Sequence, residues 1–142
     1  MIMKKFLSSS PIFFNNGIAF VRIVTGVLLV YHGLEVFDAD KMKMYTGWFI
    51  DKNYNAPSLW SYTGKLTELL VGIGYILGFL TRFCSIAAIA AFSGIIFMLG
   101  DRGKIFQGDQ HPFLFILLAL IFIFTGPGKL SLDHLFFSGK KR

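Results

Sequence analysis

Four long apolar runs, separated by short polar stretches, dominate the order of residues in this chain. They extend from about Gly17 to Val36, Leu59 to Leu80, Phe83 to Gly100 and Pro112 to Gly126. Runs this long with so few charges predict helices that cross a hydrocarbon core about 30 Å thick. Only Thr81-Arg82 joins the second run to the third, so those two form an antiparallel hairpin. Gly126-Pro127-Gly128 stops the fourth sharply. The expected fold is therefore all-α: one domain over residues 1–142, built as a bundle of four transmembrane helices. In the first loop, Met42–Ile50 reads either as a short helix lying in the interface or as an ordinary loop anchored by Tyr45 and Trp48.

Small residues refine the packing expectation. Ala87, Ala88, Ala90, Ala91, Ser93 and Gly94 crowd the third run, with Ala90 and Gly94 at i,i+4, and the second run offers Gly74 and Gly78 at the same spacing. Such patterns let membrane helices approach closely. The fourth run is bulky all round and is expected to face lipid or a partner.

Composition agrees with a membrane protein. Hydrophobic residues make up 54% of the 142 positions, charged residues 15%, and the mean hydropathy is +0.62. A soluble domain of this size has too little interior to hide that much apolar surface. The net charge of +6 does not point to nucleic acid, because the basic residues lie at the ends and in loops without interleaved stacking aromatics. They read as topology determinants instead. Lys4, Lys5, Arg82, Lys129, Lys140, Lys141 and Arg142 make seven on the side of the termini, against five on the other, Lys41, Lys43, Lys52, Arg102 and Lys104. Both termini are expected to be cytoplasmic. The N-terminus lacks an A-x-A-like cleavage site and is expected to remain as the first span. Cys84 is the lone cysteine, which excludes an internal disulfide, a CxxC pair and a CxxCH haem attachment; it reads as a small packing residue.

Charges inside apolar runs carry the functional question, since each costs a few kcal/mol on insertion and tends to face a bundle interior or cavity. Lys65 and Glu68 stand one turn apart in the second run, and His32 and Glu35 share a face near the end of the first. Antiparallel packing places these four residues at one depth near the outer side, with Asp101, Arg102 and His111 bordering it. Two readings stay open: a charge-balanced packing node that fixes register, or the polar floor of an apolar cavity that binds a small ligand or passes protons. A quinone head group suits the second, since its carbonyls need one or two hydrogen-bond partners. A metal site from His32, His111 and Glu35 lacks a ligand-spacing signature, and no metal is expected. Arg22, nearer the cytoplasmic end, is expected to snorkel or to pair with the C-terminal segment through Asp133.

Four segments in order carry a family resemblance: Arg22-Ile-Val-Thr-Gly-Val-Leu-Leu-Val-Tyr-His-Gly33, Lys65-Leu-Thr-Glu68-Leu-Leu-Val-Gly72, Leu77-Gly-Phe-Leu-Thr-Arg82 and Gly126-Pro-Gly-Lys-Leu-Ser-Leu-Asp133. The chain resembles the DoxX family over about Gly17–Asp133. The resemblance implies a four-helix bacterial inner-membrane protein linked, through DoxD-like subunits, to quinone reduction and membrane redox complexes. It maps the family's motif positions onto Arg22, His32, Gly33 and Glu68. Family members often carry an acidic residue entering the fourth span; His111-Pro112-Phe113 stands there in this chain, with Asp109 as the substitute.

Two function classes follow. One is a quinone-interacting subunit of a membrane oxidoreductase, with Glu68 and His32 at the head group and redox-complex subunits as partners. The other is a non-enzymatic scaffold, assembly protein or small-molecule transporter, with homo-oligomerisation as a further possibility. No nucleophile with a base at motif spacing marks a self-contained enzyme, and no covalently bound cofactor is expected.

Overall fold

The computed structural model describes Ser8, residues 11–100 and residues 104–138. Among these the chain is helical, with no strand. Helix α1 spans Phe14–Gly33 and runs into a 3-10 turn at Leu34–Phe37. The Asp38 carboxylate then accepts the amides of Asp40 and Lys41, both at 3.1 Å, and caps α2, Ala39–Asp51. Helix α3, Pro57–Leu77, begins with proline in its first turn and ends at Gly78, whose φ of +63° is the left-handed conformation of a helix C-cap. Helix α4, Thr81–Gly94, continues as a π-helical turn through Ile95–Leu99. Helices α5, Gln110–Thr125, and α6, Leu132–Phe137, complete the described chain.

Two helical stretches, Phe14–Phe37 and Thr81–Leu99, are long and apolar enough to cross a membrane; α5 is apolar but shorter. Only 33% and 22% of the apolar windows of those two stretches are buried within the molecule, so they are not core helices of a water-soluble fold. Their outer faces carry Val24, Val27, Leu28, Phe83, Ile86 and Phe97, all exposed. Such a surface matches a lipid environment. Helix α3 has 21 residues, about 31 Å at the α-helical rise, and carries Lys65 and Glu68 within it.

Packing runs α1 on α3, α3 on α4 and α4 on α5, with α1 and α5 also touching, while α2 lies against α3. The closest helix approach is not the one the small residues of the third run predict. It lies between α1 and α3, where a Cβ on Gly26 would sit 2.7 Å from the Gly72 carbonyl oxygen and one on Gly72 would sit 2.7 Å from the Val30 nitrogen. Gly33 meets the Leu69 backbone in the same way. Of the expected pairs, Gly74 does face α4, where a Cβ would collide with the Cys84 sulfur, but Ala90 is exposed, Gly94 stands in nearly open space and Gly78 is occupied with ending its helix. The contrast is measurable. Gly72→Ala is expected to destabilise by about 1–3 kcal/mol through overpacking against backbone, whereas Gly94→Ala is expected to be neutral or stabilising by up to about 1 kcal/mol. Thermal unfolding of the two variants in one detergent checks this, and equal effects would contradict the close α1–α3 contact.

The fourth run also departs from its expectation. Although bulky all round, α5 turns Phe115, Ala119 and Phe122 into the core. Phe115 stacks on Phe92 of α4 at 4.9 Å between ring centroids, and Phe122 meets Tyr75 of α3 edge-on at 5.0 Å.

Candidate functional site

The 3-10 turn after α1 decides where the polar residues go. It swings the chain sideways, so that α2 lies over the end of α3 and Glu35 points between them. The Glu35 carboxylate accepts from Lys41 Nζ at 2.6 Å, from the Tyr45 hydroxyl at 2.5 Å and pairs with Lys65 Nζ at 3.0 Å. Lys65 also donates to Glu68 one turn along α3, at 2.9 Å. Its ammonium lies 4.6 Å from the centroid of the Tyr45 ring, a cation–π contact. One lysine thus bridges two carboxylates. The side chains of Glu35, Lys65 and Glu68 are 12%, 13% and 6% exposed, so the group is largely withdrawn from solvent. Two carboxylates and two ammonium groups sum to zero, which is the condition under which buried charges persist.

Lys41 and Tyr45 are members that sequence reasoning missed. Lys41 reads as a topology determinant and Tyr45 as an interfacial anchor, yet they stand at i,i+4 on α2 and both reach Glu35. The one available signal is that spacing opposite an acidic residue just upstream. The hydrogen bond to Glu35 raises the Lys41 pKa above the usual lysine value. Burial, reinforced by its hydrogen bond to Glu35, pushes the Tyr45 phenol up to about 12. Tyr45 is therefore a neutral O–H donor throughout the physiological range.

The histidines form a separate group beside the ion cluster. His32 is half-buried and meets His111 edge-on at 5.4 Å between centroids, and His111 in turn meets Phe115 at 5.1 Å. Neither ring hydrogen-bonds a carboxylate among the described residues. Asp109 is buried where α5 begins, against Gly100 rather than in the cluster. Asp101 and Arg102 lie outside the described residues. Among the described residues no three His, Cys, Asp or Glu side chains are placed to hold a metal.

A cleft of about 410 Å³ opens at this end, walled by Trp48, Lys52, Ile95, Leu99, Asp109 and Pro112 among others. Lys52 Nζ closes part of its rim by donating to the carbonyl of Leu99 at 2.6 Å, at the C-terminal end of the π-turn. Two walls lead toward the polar residues: Trp48 packs edge-on against Tyr45 at 5.1 Å, and Pro112 follows His111. The volume is in the range of small-molecule sites.

Arg22 belongs to the opposite end and does not snorkel; it pairs with the C-terminal segment, but through backbone carbonyls and with no carboxylate in salt-bridge distance among the described residues. It is fully buried. Its guanidinium donates to the carbonyls of Tyr75 at the end of α3 and of Pro127 and Leu130 in the C-terminal segment, the Pro127 contact at 3.0 Å. Asp133 is engaged elsewhere, accepting the amides of Leu80 at 2.6 Å and Thr81 at 2.9 Å. The physical reason is local: the first amides of α4 lack helical acceptors and lie nearer the carboxylate.

The DoxX sequence profile matches residues 17–101, from α1 to just beyond α4. The chain belongs to the DoxX family. The matched part of this DoxX chain contains Arg22, His32, Glu35, Lys65 and Glu68, whereas Asp109, His111 and Asp133 lie beyond it. Among curated relatives, a Bacillus subtilis (strain 168) protein named "Putative oxidoreductase CatD" is 26% identical over 128 residues, covering 90% of this chain and 92% of its own. An uncharacterized Haemophilus influenzae protein is 29% identical over 126 residues, covering 84% of this chain and 90% of its own. No solved structure matches the DoxX chain.

Proposed function

We propose that this DoxX-family protein is a multi-pass inner-membrane subunit of a redox complex, and that the Glu35–Lys65–Glu68 cluster serves a quinone head group. In this reading α1, α3, α4 and α5 are the four spans of a bundle, α2 lies in the interface, and the lysine-and-arginine distribution puts both termini in the cytoplasm. The single observation that carries the proposal is the buried lysine shared by two carboxylates beside a neutral phenol. That arrangement offers the remaining N–H of Lys65 and the carboxylate oxygens of Glu35 and Glu68 near the cleft walled by Trp48 and Pro112. Relatedness to a protein named as a putative oxidoreductase supports the redox assignment.

The chemistry is simple to balance. Reducing a quinone to a quinol takes two electrons and two protons. A partner subunit supplies the electrons. This chain's Lys65, whose ammonium keeps a third N–H beyond those given to Glu35 and Glu68, donates to the ring carbonyl, and the two protons come from water by way of the polar residues at this end, with His111 exposed beside them. Trp48 and the apolar lining keep bulk water away.

One observation favours a second reading, a scaffold or assembly role: the ion network is closed and ties α1, α2 and α3 together without any ligand. Purification in mild detergent separates the two. The redox reading expects quinone to co-purify near stoichiometrically with a redox partner subunit, and expects Glu68→Gln to lower retained quinone about tenfold or more, the loss of a charged hydrogen-bonding group. Wild-type protein free of quinone, or a Glu68→Gln form with unchanged quinone-linked electron flow, would sink it in favour of the scaffold.

A further inference from the structure

A second cleft, of about 580 Å³, opens at the end of the molecule opposite the ion cluster, between the start of α4, the Thr125–Lys129 stretch and α6. Its electrostatics are unequal. Asp133 lines it, but its carboxylate is already held by the Leu80 and Thr81 amides. The cations are differently placed. Arg82 Nε donates to the Ile123 carbonyl at 3.1 Å, which pins the side chain, while its terminal nitrogens have no acceptor among the described residues. Lys129 on the opposite wall is exposed and has no ionic or hydrogen-bonding partner among the described residues. A donor-rich cleft with its one carboxylate engaged is complementary to an anion.

The surroundings specify what kind of anion. The cleft sits where α4 begins and α5 ends. Phe83, in its lining, and Phe124, one residue before the lining Thr125, are 71% and 80% exposed. A charged head group held at Arg82 and Lys129 therefore continues directly onto uncovered aromatic surface. We propose that this cleft binds the phosphate-ester head group of an anionic phospholipid, with Arg82 and Lys129 as its cationic contacts and the acyl chains running along Phe83 and Phe124. A positive-inside charge bias alone accounts for the sign of these residues but not for a cleft in which Lys129 and the terminal nitrogens of Arg82 have no acceptor among the described residues while Asp133 is engaged.

The test is native mass spectrometry of the full chain after equilibration with equal amounts of phosphatidylglycerol and phosphatidylcholine. Wild type is expected to retain the anionic lipid preferentially. Lys129→Gln, at an exposed position with no partner to lose, is expected to lower that preference about fivefold, and Arg82→Gln/Lys129→Gln by about another fivefold. Absence of preference in wild type, or an unchanged preference in Lys129→Gln, overturns the proposal. Displacement of the lipid by sn-glycerol 3-phosphate at comparable concentration also overturns it, because the site would then serve a soluble phosphate ester. The outcome is independent of whether quinone binds at the other end.

Discussion

Replacing Lys65 with methionine is expected to destabilise the protein by about 3–5 kcal/mol, the range for removing one partner of a buried charge group. Lys65 is the only ammonium within salt-bridge distance of Glu68 among the described residues, and it also steadies Glu35. Methionine fills the volume but leaves Glu68, 6% exposed, as an uncompensated buried carboxylate. The same variant should leave Glu35 better provided for, since Lys41 and the Tyr45 hydroxyl still serve it. That asymmetry predicts a non-additive pair: Lys65→Met/Glu68→Leu, which removes both charges, should cost less than Lys65→Met alone. Unfolding in detergent, followed by circular dichroism, reads both. A Lys65→Met cost below about 1 kcal/mol, the level of a surface pair, would show that Glu68 is hydrated and that the cluster is not a buried ionic node.

The second large effect is expected at Arg22. Its guanidinium links α3 to the segment after α5 through the carbonyls of Tyr75, Pro127 and Leu130. Arg22→Met removes these bonds and leaves buried carbonyls unmatched, each at about 1–3 kcal/mol. The expected total is about 3–5 kcal/mol, concentrated on the C-terminal segment. Cleavage by trypsin at Lys129, which is exposed but lies in a segment held in place, should therefore accelerate in the variant well before global unfolding. Arg22→Lys should not restore protection, because a point ammonium cannot serve several carbonyls spread around a planar fork. Unchanged cleavage in Arg22→Met would mean that Asp133 and Ser131 hold the segment without the arginine.

What the chain order reveals depends on the kind of interaction involved. Helix positions are legible because long apolar runs mark them, and Gly126 has a physical reason to end the fourth; the helix of the second run stops at Gly78 rather than Leu80 because that glycine takes the left-handed conformation, which an apolar run does not announce. The Lys65–Glu68 pair is legible because i,i+3 spacing on a helix fixes proximity without any knowledge of the fold. Lys41 and Tyr45 are not, since they reach Glu35 across a 3-10 turn whose bend no periodicity announces. The partners of Arg22 are illegible for a different reason: they are backbone carbonyls, which every residue has. The inward face of α5 is hidden because a uniformly apolar helix gives no contrast between its sides. The tight α1–α3 seam escapes because Gly26, Gly33 and Gly72 lie on two segments whose register is set by tertiary packing.

The central claim is that the polar end of this DoxX protein holds a quinone, and Trp48 offers the most direct test. It lines the cleft and packs against Tyr45, so a quinone seated there should quench its fluorescence. A short-chain quinone titrated into protein in lipid nanodiscs should give saturable quenching that disappears in Trp48→Phe, leaving only the response of Trp60. In Glu68→Gln the half-saturation should rise about tenfold, equivalent to about 1.4 kcal/mol. Quenching that grows linearly with quinone in the bilayer, or an affinity unaffected by Glu68→Gln, would contradict the claim and leave the cluster as a structural node.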